Sequence, residues 1–329
     1  MAKSKKSNSK TVKLPRWLVI LLSILVVVYS AYEYFFVENN FFNGDPLFSA
    51  NGEGGSTGDG NLNVYYLDVG QADSIYVELP NGQNMLIDAG NNADGTPIVK
   101  YLRNTLRVKR IDYVIGTHAH EDHIGGLDTV IKNFTIGSII MPYLPDKSVP
   151  TTKTYEDVLD AIVDKNLTAT AAYGGQLLLN DTERQLKIEI LSPVKDKYYE
   201  EMNDYSIVMR ITYKNRSFMF TGDAEKLPEG EMVDAGYDLK ADVLKMGHHG
   251  SSTSSSEKFV KAVDPTYAVI TCGRNNDYGH PHKETLSLIS KLKLTTYRTD
   301  KQNTIKAACD GDKITFTTGL PVCDGNSDD

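Results

Sequence analysis

Residues 117–126, which read THAHEDHIGG, restrict the possible folds of this chain more than any other segment. Four potential metal ligands fall within six consecutive positions: His118, His120, Asp122 and His123. The apolar run before them, residues 111–116, predicts a buried strand with the ligands in the loop at its end. A surface loop in which histidines cluster by chance is the alternative, but three of the chain's seven histidines lie here.

The spacing of these residues predicts two adjacent metal sites. On extended backbone, residues two apart point the same way, so His118 and His120 can bind one ion. Asp122 and His123 lie beyond the turn and can face a second ion. The glycine pair 125–126 lets the chain pass close to the cluster, since glycine has no side chain to obstruct the approach.

Three further segments have the same organisation, an apolar strand followed by potential ligands. Residues 85–87 precede Asp88, residues 217–220 precede Gly222 and Asp223, and residues 242–246 precede the pair His248 and His249.

The ligand run resembles the signature of the metallo-β-lactamase superfamily, which implies an α/β fold, a four-layer αβ/βα sandwich, with two divalent metal ions. By this resemblance Asp223 bridges the metals and Asp88 hydrogen-bonds a ligand histidine from behind. His249 would complete the second metal site and His248 would face the substrate, with the reverse assignment as the alternative.

Residues 67–74, LDVGQADS, narrow the resemblance to the metallo-β-lactamase domains of ComEC-type competence proteins, with Ala72 where that motif has glycine. They lie in residues 63–78, which predict two strands joined by a tight turn. Asp68, Gln71 and Asp73 would then lie near the active-site rim, with a role in turn architecture alone as the alternative. Residues 272–282 also resemble that family, and their candidate substrate-binding residues are Arg274, Asn276, Tyr278 and His280. The resemblance covers residues 62–318.

One expected ligand is absent, because no histidine occurs between Ile124 and Asp223. The corresponding segment contains Asn203 and Ser206, a pattern similar to the ComEC-type domains, and these two residues are predicted to bind substrate. The first metal would then rely on His118, His120 and Asp223. Fewer nitrogen ligands weaken the preference for Zn²⁺ and make Mn²⁺ a credible alternative.

The first 36 residues predict a membrane anchor. A basic tail, residues 1–16, precedes the apolar run 17–36, which is long enough to cross a bilayer as one helix. Positive charge before the helix predicts a cytoplasmic N-terminus and an extracellular catalytic domain at the cell membrane. A cleaved signal peptide is the alternative. Residues 37–61 would form a flexible linker, 62–318 the catalytic domain and 319–329 an acidic tail.

Charge and cysteine content add two expectations. Beyond residue 36 the chain has 29 basic and 42 acidic residues, a formal charge of −13, which does not favour tight sequence-independent DNA binding. Bound cations would offset part of this charge. In an extracellular domain Cys309 and Cys323 could form a disulfide, leaving Cys272 buried.

These observations predict a membrane-anchored, metal-dependent phosphodiesterase or nuclease that acts on DNA or a related phosphodiester, through a water activated by two cations. The candidate catalytic residues are Asp122, His248 and His280. It could serve a separate DNA-uptake channel; its oligomeric state is open. One alternative is an esterase that removes choline phosphate from cell-wall teichoic acid. Another is a non-catalytic surface module that retains the fold.

Overall fold

A computed structural model describes residues 44–50, 60–321 and 323 of the chain. The strands are β1 (Leu62–Tyr66), β2 (Ile75–Glu78), β3 (Asn84–Ile87), β4 (Arg110–Ile115), β5 (Thr135–Pro142), β6 (Ala169–Ala172), β7 (Gln176–Asp181), β8 (Leu186–Ser192), β9 (Val208–Tyr213), β10 (Arg216–Phe220), β11 (Val243–Lys245), β12 (Tyr267–Ile270), β13 (Thr295–Arg298), β14 (Thr304–Cys309) and β15 (Ile314–Leu320).

The helices connect these strands. The α-helices are α1 (Gly95–Lys100), α2 (Glu121–Ile124), α3 (Leu127–Asn133), α4 (Lys153–Asp164), α5 (Lys226–Asp234), α6 (Glu257–Val263), α7 (Lys283–Leu292) and α8 (Thr299–Gln302). One π-helical turn, Tyr101–Thr105, extends α1, and 3-10 turns occupy Asp146–Ser148, Met202–Tyr205 and His248–Gly250. Thr152 and Ser256 begin α4 and α6 by accepting hydrogen bonds from the third backbone N–H that follows.

The strands form two sheets. The first has eight strands in the order β15-β14-β1-β2-β3-β4-β5-β6, and the second has seven in the order β13-β12-β11-β10-β9-β8-β7. Strands β3 to β6 are parallel to one another, as are β10 to β13. The prediction of an α/β fold is confirmed, and its two sheets are those expected of the sandwich.

Two hydrophobic clusters hold these layers together. The larger lies between the sheets, where Tyr66 of the first sheet stacks on Phe220 of the second. The other lies on the outer face of the first sheet, where helices α1, α3 and α4 bury Ile98, Val130 and Val158. Removal of apolar surface from water on both faces of the sheet is the main force favouring this arrangement.

The connection between the first two strands differs from the predicted tight turn. Residues 67–74 instead extend toward the ligand run: the backbone N–H of Asp73 donates to the carbonyl of Asp122 at 3.0 Å, and its carbonyl accepts from Gly90 at 2.9 Å. The prediction of a tight turn is wrong because these hydrogen bonds draw the segment to the sheet edge. They also place Asp73 beside the histidines.

The cysteines do not form the suggested disulfide. Cys309 lies in the hydrophobic cluster between the sheets, whereas Cys323 lies in the cluster on the outer face of the first sheet. All three cysteines, including Cys272, are buried thiols. The sheet itself separates Cys309 from Cys323, a separation that sequence spacing does not reveal.

The predicted anchor, residues 17–36, lies outside the described residues, as do the basic tail and most of the linker. Among the helices in the described part of the chain, none has both the length and the apolar character needed to cross a bilayer.

Candidate metal centre

The candidate metal centre lies where the carboxyl ends of parallel strands from both sheets meet. Asp88 follows β3 and the ligand run follows β4, whereas Asp223 follows β10 and His249 follows β11. Carboxyl ends of parallel strands are the usual location of ligand sites in α/β sheets, because the chain leaves the sheet there as loops. Both sheets therefore contribute to one cluster.

Four side chains come close enough to share one ion: Asp122, His123, Asp223 and His249. The Nε2 atom of His123 lies 3.2 Å from Asp223 Oδ2. The Nε2 atom of His249 lies 3.2 Å from Asp122 Oδ2 and 3.6 Å from Asp223 Oδ2. A tetrahedral ion with ligands at about 2.0–2.2 Å separates neighbouring ligand atoms by roughly 3.3–3.6 Å. These contacts have the spacing that such an ion requires.

Two buried atoms of this group support the fit. His123 Nε2 and Asp223 Oδ1 have no hydrogen-bond partner in the described structure. A buried polar atom without a partner is costly, and each of these atoms carries a lone pair that a cation can accept. The residues present therefore fit a divalent metal ion.

The carboxylates of the ligand group favour positive charge, as the raised pKa of His249 indicates. Burial alone would lower this pKa, but the Asp223 and Asp73 carboxylates raise it to about 10. Burial similarly raises the pKa of Asp223, yet His123 and His249 hold it well below its usual range. A bound metal ion supplies the same positive charge in place of protons.

Asp88 holds His123 from behind, as the superfamily resemblance implies. Its Oδ2 atom accepts from His123 Nδ1 at 2.8 Å, which leaves Nε2 directed at the ligand group. Thr117 fixes the carboxylate by donating its backbone N–H to Oδ1 at 2.8 Å and its hydroxyl to Oδ2 at 2.7 Å. Burial raises the pKa of Asp88, and His123 opposes that shift.

Asp73 has the same relation to His249. Its Oδ1 atom lies 3.3 Å from His249 Nδ1, which also contacts the carbonyl of Thr271 at 3.0 Å. Its Oδ2 atom lies 2.6 Å from the ammonium of Lys245. Although burial raises the pKa of Asp73, Lys245 and His249 hold it below its usual range.

His118 and His120 converge on each other beside this group. His118 Nε2 and His120 Nδ1 are 3.0 Å apart, and the His118 ring lies 4.2 Å from that of His123. His118 is fully buried, whereas His120 is exposed. Burial and the neighbouring His123 lower the pKa of His118, which favours the neutral form that binds metals. A first metal held by these two rings stays a prediction.

His248 lies at the rim of the cluster, a quarter exposed, while His249 is buried within it. Both residues have left-handed backbone, with φ of 51° and 53°, so the chain reverses sharply and directs the two rings differently. His248 Nε2 lies 3.6 Å from Asp223 Oδ2, and Nδ1 lies 3.1 Å from Thr253 Oγ1 and 3.4 Å from Glu225 Oε1. The geometry favours His249 as the ligand.

Asn203 and Ser206 lie where the missing imidazole was expected. Ser206 Oγ accepts from the backbone N–H of Asp223 at 3.1 Å, so it supports that carboxylate from the main chain. Asn203 Nδ2 donates to Glu225 Oε1 at 3.2 Å and lies 3.4 Å from His248 Nδ1. Asn203 therefore joins the rim, whereas the Ser206 hydroxyl lies behind Asp223.

The 272–282 loop brings His280 to the same rim. The His280 ring lies 5.5 Å from that of His248, and its Nδ1 atom contacts Gln71 Nε2 at 3.2 Å. Burial and the neighbouring histidines lower the pKa of His280 to about 4, so the ring is neutral at neutral pH. Tyr278 stacks on it at 5.7 Å and is largely exposed.

The other residues predicted in this loop have structural contacts. Asn276 closes the loop, because its side chain donates to the carbonyl of His280 at 2.7 Å and accepts from the His280 backbone N–H at 2.9 Å. Arg274 donates to the Asp300 carbonyl and to Asn303, and lies 3.7 Å from Asp68. The structure thus directs Arg274 and Asp68 toward each other.

All seven histidines of the chain form one series of neighbouring rings. Successive centroid distances run from 4.2 to 6.1 Å through His120, His118, His123, His249, His248, His280 and His282. Gln71 lies at the rim, as the resemblance implies, whereas two other polar side chains that support this series, Glu225 and Lys245, were not predicted from the sequence. Lys245 had a detectable signal, a lysine inside an apolar strand immediately before the histidine pair.

The sequence of this chain is similar to a protein-family model and to several known proteins. A family model described as the metallo-beta-lactamase superfamily matches residues 67–274. ComE operon protein 3 of Bacillus subtilis (strain 168) is 30% identical over 259 residues, which cover 74% of this chain and 32% of the relative. Competence protein ComA of Neisseria gonorrhoeae is 29% identical over 245 residues, 71% of this chain and 30% of the relative. The chain spans about a third of the length of these relatives.

Solved structures are similar in fold alone. A mutant of the CmlA beta-hydroxylase superposes with a TM-score of 0.51 at 12% sequence identity, covering 76% of this chain and 54% of that chain. At this identity the similarity extends to the arrangement of the sheets and helices, and the chemistry must be argued from the residues of the centre.

Proposed function

The chain belongs to the metallo-β-lactamase superfamily, whose members are generally metal-dependent hydrolases, and from this premise we propose that it is a membrane-anchored phosphodiesterase that cleaves DNA outside the cell. The observation that carries the proposal is the convergence of Asp122, His123, Asp223 and His249 beside a partly exposed rim of further imidazoles. A phosphodiester needs both features, a cation for its charge and a proton donor for its leaving oxygen.

Divalent ions bound by these residues would supply Lewis acidity and lower the pKa of a bound water toward neutrality. The protein contributes orientation. Asp88 fixes His123 and Asp73 fixes His249, so both rings present Nε2 to the centre. Pre-positioned ligands do not have to reorganise during the reaction.

His248 is the proposed proton donor to the leaving oxygen. Its ring is partly exposed, and contacts with Thr253 and Glu225 hold Nδ1 in place. The hydrogen bond with His248 lowers the pKa of Glu225, so that carboxylate stays charged and helps to orient the His248 ring. A partly exposed imidazole that lies beside the ligand group and is oriented by a carboxylate is suited to general acid catalysis.

His280 is proposed to bind a phosphoryl oxygen. Gln71 engages its Nδ1 atom, which leaves Nε2 for the substrate. The exposed ring of Tyr278, stacked on His280, offers a surface on which a nucleobase could stack. Nucleic acid is the first substrate to test because a relative is named for competence.

Purified full-length protein with Zn²⁺ or Mn²⁺ should cleave DNA or bis(p-nitrophenyl) phosphate. Asp122→Asn removes a ligand carboxylate and should lower the rate by at least ~100-fold, since even residues behind a metal ligand are worth 10–100-fold. Asp128→Asn, in the nearby helix and paired with Lys132, is the matched control and should keep the wild-type rate. A metal-loaded protein that cleaves neither substrate would refute the proposal.

A teichoic acid carrying choline phosphate belongs in the same screen. Release of choline phosphate without cleavage of DNA would replace the proposed substrate by a cell-wall phosphodiester. A protein that binds no metal at all would instead support the non-catalytic surface module.

The membrane part of the proposal rests on the basic residues 1–16 followed by the apolar run 17–36. Protease added to intact cells should digest the catalytic domain and leave the N-terminal tail protected. Recovery of the intact chain after such treatment, with digestion only after cell lysis, would contradict an extracellular domain.

A further inference from the structure

Lys245 is a buried cation beside the candidate metal centre, and none of the roles proposed above involves it. It ends strand β11 and its side chain is 1% exposed. Its ammonium lies 2.6 Å from Asp73 Oδ2, 3.2 Å from the carbonyl of Gly222 and 3.3 Å from the carbonyl of Met246. An ammonium has three N–H donors, so these acceptors satisfy all of them.

The first contact connects Lys245 to His249. With Oδ2 of Asp73 held by the ammonium, the other carboxylate oxygen lies 3.3 Å from His249 Nδ1. A proton on Nδ1 leaves the lone pair of Nε2 free to bind a metal. Lys245 and the Thr271 hydroxyl, which donates to Oδ1, thereby hold the carboxylate behind His249, and Lys245 is the charged group of the two.

The second contact connects Lys245 to Asp223. The Gly222 carbonyl accepts from Lys245 and from the backbone N–H of His248, both at 3.2 Å. Gly222 has a φ of 50°, and a side chain there would approach Thr117 and Ser206 to within 3.1–3.2 Å. The peptide group that precedes Asp223 is therefore held on several sides, and Lys245 is the charged group among these contacts.

We propose that Lys245 is a positioning residue of the metal centre, which orients His249 through Asp73 and Asp223 through the Gly222 carbonyl. The inference rests on the metal-binding part of the proposed function and is independent of the substrate. One side chain thus couples two ligands that follow different strands, β10 and β11.

A purely structural ion pair makes a different prediction. Removing one partner of a buried pair leaves an uncompensated charge, whereas replacing both partners by neutral groups is often harmless to stability. If Lys245 and Asp73 only stabilise the fold, replacing both should restore both the stability and the metal affinity. If they position the ligands, removal of both should restore stability but not metal binding.

The test compares Lys245→Met, Asp73→Asn and the double variant in the purified full-length chain. The readouts are Zn²⁺ affinity by chelator competition, the visible spectrum of bound Co²⁺, and urea unfolding. We expect each single variant to lose ~10–100-fold in Zn²⁺ affinity and to show an altered Co²⁺ spectrum. The double variant should regain stability and keep the weakened affinity and altered spectrum.

Arg210→Met provides a matched control. Arg210 is also buried in the second sheet and pairs with Glu189 at 3.0 Å, away from the ligand group. This variant should lose stability without a change in the Co²⁺ spectrum. If Lys245→Met does not fold, the Zn²⁺ affinity and Co²⁺ spectrum of the double variant decide the test.

Wild-type affinity and spectrum in folded Lys245→Met, or in the double variant, would overturn the inference while leaving the proposed function intact. Wild-type protein that binds neither Zn²⁺ nor Co²⁺ would overturn the metal centre itself, and both proposals with it.

Discussion

At the scale of single residues, the two buried imidazoles of the centre share one arrangement. His123 is held through Nδ1 by Asp88, and His249 Nδ1 contacts both Asp73 and the Thr271 carbonyl. Each carboxylate is in turn bound by a donor from its surroundings, Thr117 or Lys245. The direction of each candidate ligand therefore depends on residues that are not themselves in the ligand group.

Asp88→Asn tests this dependence. Asp88 has a φ of 59°, a conformation that asparagine tolerates, so the substitution changes the charge with little change in shape. We expect Zn²⁺ affinity to fall by ~10–100-fold, measured by chelator competition. Asp112→Asn, a buried carboxylate that binds the Asn84 backbone, should keep the affinity. Equal affinities of wild type and Asp88→Asn would contradict the role of this residue.

Glu229 should make stability depend on pH. Burial raises its pKa from 4.5 to about 7, although Ser255 and Ser256 donate to it. The folded protein therefore keeps a proton that the unfolded chain releases above 4.5. Stability from this group is fully present below pH 4.5 and is lost as the pH rises to about 7, by up to ~3 kcal/mol.

Urea unfolding of wild type and Glu229→Gln at pH 5 and pH 8 measures this effect. The wild type should lose more stability than Glu229→Gln between the two pH values, because the amide does not titrate. Asp234→Asn, at the exposed end of the same helix, should retain the wild-type difference. If wild type and Glu229→Gln lose the same unfolding free energy between pH 5 and pH 8, the raised pKa of the Glu229 carboxyl is excluded.

At the scale of elements, the ligand run depends on how closely helices α2 and α3 approach the β3 end. A Cβ at Gly126 would lie 2.3 Å from the Ala89 carbonyl oxygen and 2.7 Å from the Gly95 Cα. Both are backbone atoms, which cannot rotate away as a side chain can. The expectation that the glycine pair allows a close approach is thus supported by specific contacts.

Gly126→Ala should destabilise the fold by ~1–3 kcal/mol or more, since backbone must shift to accept the methyl group. Gly230→Ala is the matched control, because it lies within helix α5 with nothing within 4 Å of the added Cβ. That change should be neutral or stabilising by up to ~1 kcal/mol. Chemical denaturation compares the two, and equal stabilities would argue against the close packing at Gly126.

At the scale of the whole molecule, the metal centre joins the two sheets. Asp122 and His123 belong to the first sheet's edge, and Asp223 and His249 to the second sheet's edge. An ion bound by all four would connect the two layers in the native state only. Binding to the native state alone stabilises it by mass action.

Saturating Zn²⁺ should therefore raise the melting temperature relative to chelator-treated protein. At about 100 times the Kd the gain is ~2.7 kcal/mol, which corresponds to several degrees for a domain of this size. His249→Ala should abolish the shift, whereas His282→Ala, which removes an imidazole next to His280, should preserve it. A shift that survives in His249→Ala would place the ion elsewhere.

Much of the centre could be predicted because its ligands follow strands directly. Asp88, Asp223 and His249 each come within a few residues of an apolar run, and strand ends are where a sheet exposes its loops. The roles of Lys245 and Gln71 could not be predicted in this way. Lys245 contacts Asp73, and Gln71 contacts His280. The two residues of each pair are far apart in the chain, and the packing of the strands brings them together.

The sequence by itself determined which residues can bind a metal and on which strand ends they occur, because ligand chemistry and strand periodicity are local properties. The tertiary structure decided which of them share one ion, that Asp73 lies behind His249, and that Cys309 and Cys323 are separated by a sheet. Those facts depend on strand order and on the packing of two sheets, which arise from contacts between distant segments.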